Sequence, residues 1–118
     1  MISAAHDLPS FDTGQYEGCE FRMQKGDASL SIRVSELGTI ELTFHRVRWH
    51  QFVALPNCTP EMVSSAYFRL VEIRSSELTA FVAADRASSK AYSELHHYRI
   101  FLDETGCHEL FAQSFAAS

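Results

Sequence analysis

Apolar residues recur at every second position over two successive stretches of the chain. Cys19, Phe21 and Met23 alternate with Glu20, Arg22 and Gln24, and Leu30, Ile32 and Val34 alternate with Ser31 and Arg33. This period of two marks half-buried strands. Between them lies Lys25-Gly26-Asp27-Ala28, where Gly26-Asp27 as a two-residue loop suits a type I′ or II′ hairpin. That loop predicts Met23 opposite Leu30, Phe21 opposite Ile32 and Cys19 opposite Val34, so apolar residues meet across the pair. Glu36-Leu37-Gly38 reads as a three-residue loop with Gly38 left-handed, which predicts Val34 opposite Ile40, Ile32 opposite Leu42 and Leu30 opposite Phe44. On the polar face this register sets Arg33 between Glu20 and Glu41 as a row of ion pairs.

After Phe44 the apolar phase moves from even to odd positions (Val47, Trp49), which calls for a bulge or bend near His45-Arg46. Pro56-Asn57 then breaks the pattern. Thr59-Pro60-Glu61 has the form of a helix start, with Thr as N-cap and Pro in the first turn. Tyr67 to Ile73 is β-branched and aromatic on both faces, as a covered strand would be. Ser75 or Ser76 can cap a helix running to about Asp85, with Leu78, Phe81 and Val82 on one side. Residues 86–94 read as a polar connection. His97–Asp103 and Cys107–Phe115 then form a second hairpin around Glu104-Thr105-Gly106, with Ile100 opposite Leu110 and Tyr98 opposite Ala112. The other face of this hairpin (Phe101, Phe111, Phe115) is also apolar, and the helix near 76–86 is the expected cover. The two Glu-x-Gly-x-x-Glu-Leu segments, 36–42 and 104–110, read as one turn type used twice.

The expected fold is therefore α+β: a curved antiparallel sheet of about six strands, with an N-terminal three-stranded meander, a C-terminal hairpin and one main helix near 76–86. The 118 residues are expected to form a single domain, with residues 1–15 loosely ordered. With 46% hydrophobic and 21% charged residues, the composition excludes a disordered chain, a collagen and a coiled coil. Neither a secretory leader nor a membrane-length apolar run is read in the sequence. Three widely spaced cysteines (Cys19, Cys58, Cys107) suit free thiols in a cytoplasmic protein. The net charge of −5 argues against a nucleic-acid or membrane partner, although its acids gather at the two ends and leave residues 21–102 slightly basic.

Candidate chemistry is sparse. Among six histidines, consecutive His96 and His97 must diverge on a strand, and His108 falls far from His96, so no metal site and no cofactor is expected. Cys107 and His108 diverge likewise, against a Cys–His nucleophile. Arg99 falls diagonal to Glu109, which makes that carboxylate a structural partner and leaves no catalytic residue to nominate. The most basic and aromatic window supplies the one candidate binding patch: Arg46, Arg48 and His50 on one strand face, with Trp49 on the other. Arg suits such a surface because its planar fork grips carboxylates in pairs.

The run Phe68-Arg69-Leu70-Val71-Glu72-Ile73…Ser76, then His97-Tyr98-Arg99-Ile100-Phe101-Leu102-Asp103 and Gly106…Glu109-Leu110…Ser114-Phe115, resembles a group of small bacterial α+β domains. These carry a similar HYR…D…G…E…F terminal hairpin after a strand–helix unit. The resemblance covers the C-terminal half and brings no activity with it. Some small proteins of comparable design act as toxin-neutralising immunity proteins, an analogy of size and architecture. The leading expectation is a non-enzymatic binding or accessory protein. The alternative is a small-ligand binder or enzyme with a cavity in the curved sheet, lined by Tyr67, Tyr98 and His97. A homodimer through sheet edges or faces is compatible with either.

Overall fold

The structure is a computed structural model, described here for residues 2–84 and 95–117. Among the described residues seven strands are present: β1 (Ile2–Asp7), β2 (Tyr16–Gln24), β3 (Asp27–Val34), β4 (Gly38–Ala54), β5 (Arg69–Ile73), β6 (His96–Leu102) and β7 (Gly106–Ala117). They form one antiparallel sheet in the order β1-β5-β6-β7-β4-β3-β2. Two α-helices among the described residues accompany it, α1 (Pro60–Ala66) and α2 (Ser76–Ala84). The α+β class and the antiparallel meander are as expected. The strand count is seven rather than six, and helix is the minor component. The added strand is Ile2–Asp7: these residues, expected to be loose, pair along β5. No helix among the described residues is long and apolar enough to cross a membrane. The end of the expected helix at 85–86 and the connection at 86–94 lie outside the described residues.

All three hairpins keep the expected faces but sit two residues away from the expected register. In the first, Phe21 pairs with Leu30 and Cys19 with Ile32, because the turn is Lys25-Gly26, both at positive φ (52° and 86°). In the second, Ile32 pairs with Ile40 and Leu30 with Leu42; in the third, Tyr98 pairs with Leu110 and Ile100 with His108. Both three-residue loops place a glutamate in the left-handed region, Glu36 (φ 73°) and Glu104 (φ 66°), two residues before a positive-φ glycine. Loop placement thus turned on non-glycine residues, where sequence gives little warning. The shift also removes the expected ion-pair row. Ser31, not Arg33, lies between Glu20 and Glu41.

The sheet curls strongly. Phe21 on β2 stacks on His108 of β7 with ring centroids 5.3 Å apart, although two strands intervene. The inside is filled by Leu30, Ile32, Leu42, Phe44, Leu70, Tyr98, Ile100, Leu102 and Leu110, all buried. The connection from β1 to β2 adds Leu8 and Phe11 to this core. Outside, α1 begins at Thr59, whose Oγ1 accepts from the Met62 N–H at 3.2 Å, and packs Met62 and Val63 over Val71, Ile73, Phe101 and Cys107. Helix α2 sets Phe81 edge-on to Phe111 at 5.2 Å. The outer cover is therefore shared: α1 roofs Phe101 and α2 roofs Phe111, while Phe115 packs instead on Tyr98 and His6.

Gly106 opens β7 where backbone meets backbone. Its φ is 145°, and a Cβ there would lie 2.2 Å from the Val53 carbonyl oxygen. Gly106→Ala is expected to cost roughly 3 kcal/mol, from strain plus forced separation of β4 and β7. Equal urea midpoints for this variant and the parent would show that the close approach is not a constraint.

Candidate functional site

Buried polar groups concentrate on the outer face of β6 and β7, beneath the two helices. Alternation turns His97, Arg99 and Phe101 outward on β6, and Cys107, Glu109 and Phe111 outward on β7. His97, Arg99 and Glu109 are 1%, 6% and 4% exposed, so each needs partners. Glu109 Oε1 accepts from His97 Nε2 at 2.6 Å, and Arg99 Nε lies 3.3 Å from the same oxygen, an ion pair without hydrogen-bond alignment. Arg99 also bonds Glu61 and, at 3.1 Å, Ser65 Oγ. Glu61 and Ser65 stand four residues apart on α1 and so share one helix face.

The other imidazole nitrogen reaches the second helix. His97 Nδ1 lies 2.7 Å from Ser75 Oγ, which also accepts the Leu78 N–H at 3.1 Å as the cap of α2. One consistent proton assignment satisfies both imidazole nitrogens and the Ser75 hydroxyl: Nε2–H donates to Glu109, and the Ser75 hydroxyl donates to Nδ1. Burial raises the Glu109 carboxyl pKa, but the His97 hydrogen bond and the Arg99 charge outweigh it and hold it below the ordinary range. Burial works against the Arg99 charge too, yet Glu109 and Glu61 keep its pKa above normal. An open hollow of about 500 Å³ borders this network, with Ser75, His97, Glu72 and Leu78 in its wall.

The expected binding patch is divided by the fold. Arg46 is exposed, left-handed (φ 53°), and anchored by its N–H to Asp27 Oδ1 at 3.0 Å. Arg48 is exposed and sits at the register shift between Val47 and Trp49. Beyond that bulge Trp49 stacks on Phe111 at 4.3 Å outside, whereas His50 turns inside onto Phe21 at 4.0 Å. The expectation that His50 shares a face with both arginines is thus corrected: one extra residue in β4 reverses the phase. Nor do Tyr67, Tyr98 and His97 line one cavity. Tyr67 is exposed and bonded to Asp103, Tyr98 lies in the inner core, and His97 is outside.

Inside, His50 Nε2 lies 3.4 Å from His108 Nδ1, with Phe21 stacked on both and Phe52 beside His108. Desolvation, and then the neighbouring His50, push the His108 pKa down to about 4. Desolvation also lowers His50. Both rings are neutral near pH 7. His96 leaves this region altogether and pairs with Glu72 at 2.9 Å. Among the described residues no three His, Cys, Asp or Glu side chains are grouped to hold a metal ion.

Ser75, Glu61 and Ser65 were not singled out from sequence, where Ser75 and Glu61 read as helix-start residues. The one available signal for their site was the Arg99–Glu109 proximity; they are directly opposed rather than diagonal. No family model matches the chain, and comparison with curated proteins and with solved structures gives no match either.

Two pH effects follow. As pH falls below 6.5 the unfolded chain protonates His108, while the folded chain does not until about pH 4, so stability declines across that window. The loss is on the order of 3 kcal/mol. Glu109, with its pKa lowered by folding, adds a further loss on the acid side of 4.5. His108→Phe should flatten denaturation midpoints between pH 6.5 and 4 while keeping the steeper fall below; an unchanged slope in the upper window would refute the assignment. Glu109→Ala strands a buried guanidinium and should cost roughly 3–5 kcal/mol at pH 7, read from the same urea titrations.

Proposed function

We propose that this chain is a non-enzymatic binding or accessory protein that meets an acidic polypeptide through Arg46 and Arg48, with Trp49 as the neighbouring aromatic surface. The observation that carries this reading is the contrast between two groups of cations. Arg99 is enclosed with Glu109, Glu61 and Ser65, whereas Arg46 and Arg48 are exposed on a bulge whose geometry Asp27 holds. Trp49 is clamped by Phe111, so little side-chain entropy is lost when a partner covers it. The inner face is packed with side chains, which argues against a ligand chamber there. His50 belongs to the internal aromatic stack and acts by supporting β4. The toxin-neutralising role suggested by size and architecture falls within this reading.

Charge reversal at both positions, Arg46→Glu with Arg48→Glu, should weaken partner recovery in affinity capture from the native host by about tenfold or more. Undiminished recovery of the same acidic partner would discard this surface. Circular dichroism of the double variant should match the parent, since both side chains are exposed.

One observation favours a second reading, acyl hydrolysis at Ser75. Its hydroxyl faces the His97 base, and Glu109 orients that base, beside an open hollow. An alkyl fluorophosphonate should then label the parent at Ser75 and not the Ser75→Ala variant. Absence of label on the parent would leave the network purely structural.

A further inference from the structure

Strand β2 pairs with β3 on one side, and no described residue pairs with its other side. Nine residues of edge backbone are thus available as a template for another strand. The two-residue turn Lys25-Gly26 makes Gln24–Asp27 the hydrogen-bonded pair that closes the hairpin. Alternation then directs the backbone groups of Glu20, Arg22 and Gln24 towards β3, and those of Cys19, Phe21 and Met23 towards the open edge. The side chains divide the other way, with Glu20 and Arg22 on the outer face, where they form an ion pair at 3.3 Å and remain more than half exposed.

The sequence of this edge is complementary to its own reverse. We propose that β2 is a homodimer edge, on which a second copy of this chain pairs antiparallel about a two-fold axis at Phe21. In that register Glu20 faces Arg22 of the second copy, and Arg22 faces its Glu20. Cys19 faces Met23, which is 51% exposed in the single chain, and Glu17 and Lys25 bring opposite charges to the two ends. Phe21, Cys19 and Met23 are the residues whose backbone groups point outward, so the register also satisfies the hydrogen-bonding phase. The intrachain Glu20–Arg22 pair becomes an alternating square of four charges on the outer face.

Neighbouring registers lose this match. An axis at Glu20 sets two carboxylates against each other, and one at Arg22 sets two guanidinium groups together. An axis at Cys19 places Glu17 against Phe21, and one at Met23 places Lys25 against Phe21. Charges on an edge strand ordinarily repel unwanted pairing; here their order admits one partner, the same strand reversed. This surface is separate from the Arg46–Arg48 contact, so either can fail without the other.

The test is sedimentation equilibrium of the full chain over a concentration series, with hydrogen exchange read at each concentration. The expected result is a mass rising from one chain to two, with exchange slowing at the Cys19, Phe21 and Met23 amides. Glu20→Arg alone and Arg22→Glu alone should each weaken self-association roughly tenfold or more, because like charges then face each other. Mixing these two variants should restore association, since their charges are complementary. The double exchange, Glu20→Arg with Arg22→Glu, should restore it within one chain. A one-chain mass throughout would overturn the proposal, as would a dimer indifferent to the single variants or protection confined to β1.

Discussion

Strands β1 and β2 are consecutive in the chain yet occupy opposite edges of the sheet. Across a flat seven-stranded sheet the edges stand roughly 29 Å apart, six spacings of ~4.8 Å. The step from Asp7 to Tyr16 spans at most ~30 Å when fully extended, and part of it is wound into a 3₁₀ turn at Thr13–Gln15. The sheet must therefore curl until its edges approach. Contacts across the curl hold it there: Tyr16 meets Thr105 through a 2.6 Å hydroxyl bond, and Phe11 and Tyr16 both pack edge-on to Phe68. Curling gives the inner face a closed apolar core without a second sheet, and leaves β2 an open edge.

The same curl separates two kinds of chemistry. Inside, His50 and His108 are pressed between phenylalanines and kept neutral by desolvation. Outside, two short helices cannot bury the sheet with apolar residues alone, and α1 has only seven residues. Glu61 and Ser65 on α1 and Ser75 at the head of α2 instead complete a polar network with His97, Arg99 and Glu109. Each helix is tied to the sheet by a charged or capping group as well as by contact. A polar network of this kind tolerates few changes, because every removal leaves a buried partner unmatched.

Much of the architecture was legible in the residue pattern. The meander, the C-terminal hairpin and the Thr59 cap follow from alternation and turn chemistry; an irregularity in β4 does too, but its register shifts between Val47 and Trp49 rather than near His45-Arg46. Ile2–Asp7 escaped because its alternation is weak and its residues are mostly exposed; only pairing with β5 makes it a strand. The three register offsets share one cause. A period-two pattern settles which residues face inward, and a shift of two residues leaves that unchanged. The turns were decided by Lys25, Glu36 and Glu104 at positive φ, conformations that nothing in those residue types announces.

The candidate sites divide along the same line. By itself the sequence determined which side chains of the meander lie in and out, that Cys107 and His108 diverge, and that Arg99 and Glu109 are partners, because these depend on alternation within one hairpin. It also carries the reversed charge order of residues 17–25, which is a property of the sequence alone. Tertiary structure decided the rest: that His50 turns inward away from Arg46 and Arg48 beyond the bulge, that Ser75 and Glu61 reach the same buried cluster from two helices, and that β2 keeps one side to which no described residue pairs. Those are matters of how separate segments meet in space, and local periodicity carries no information about distances between segments.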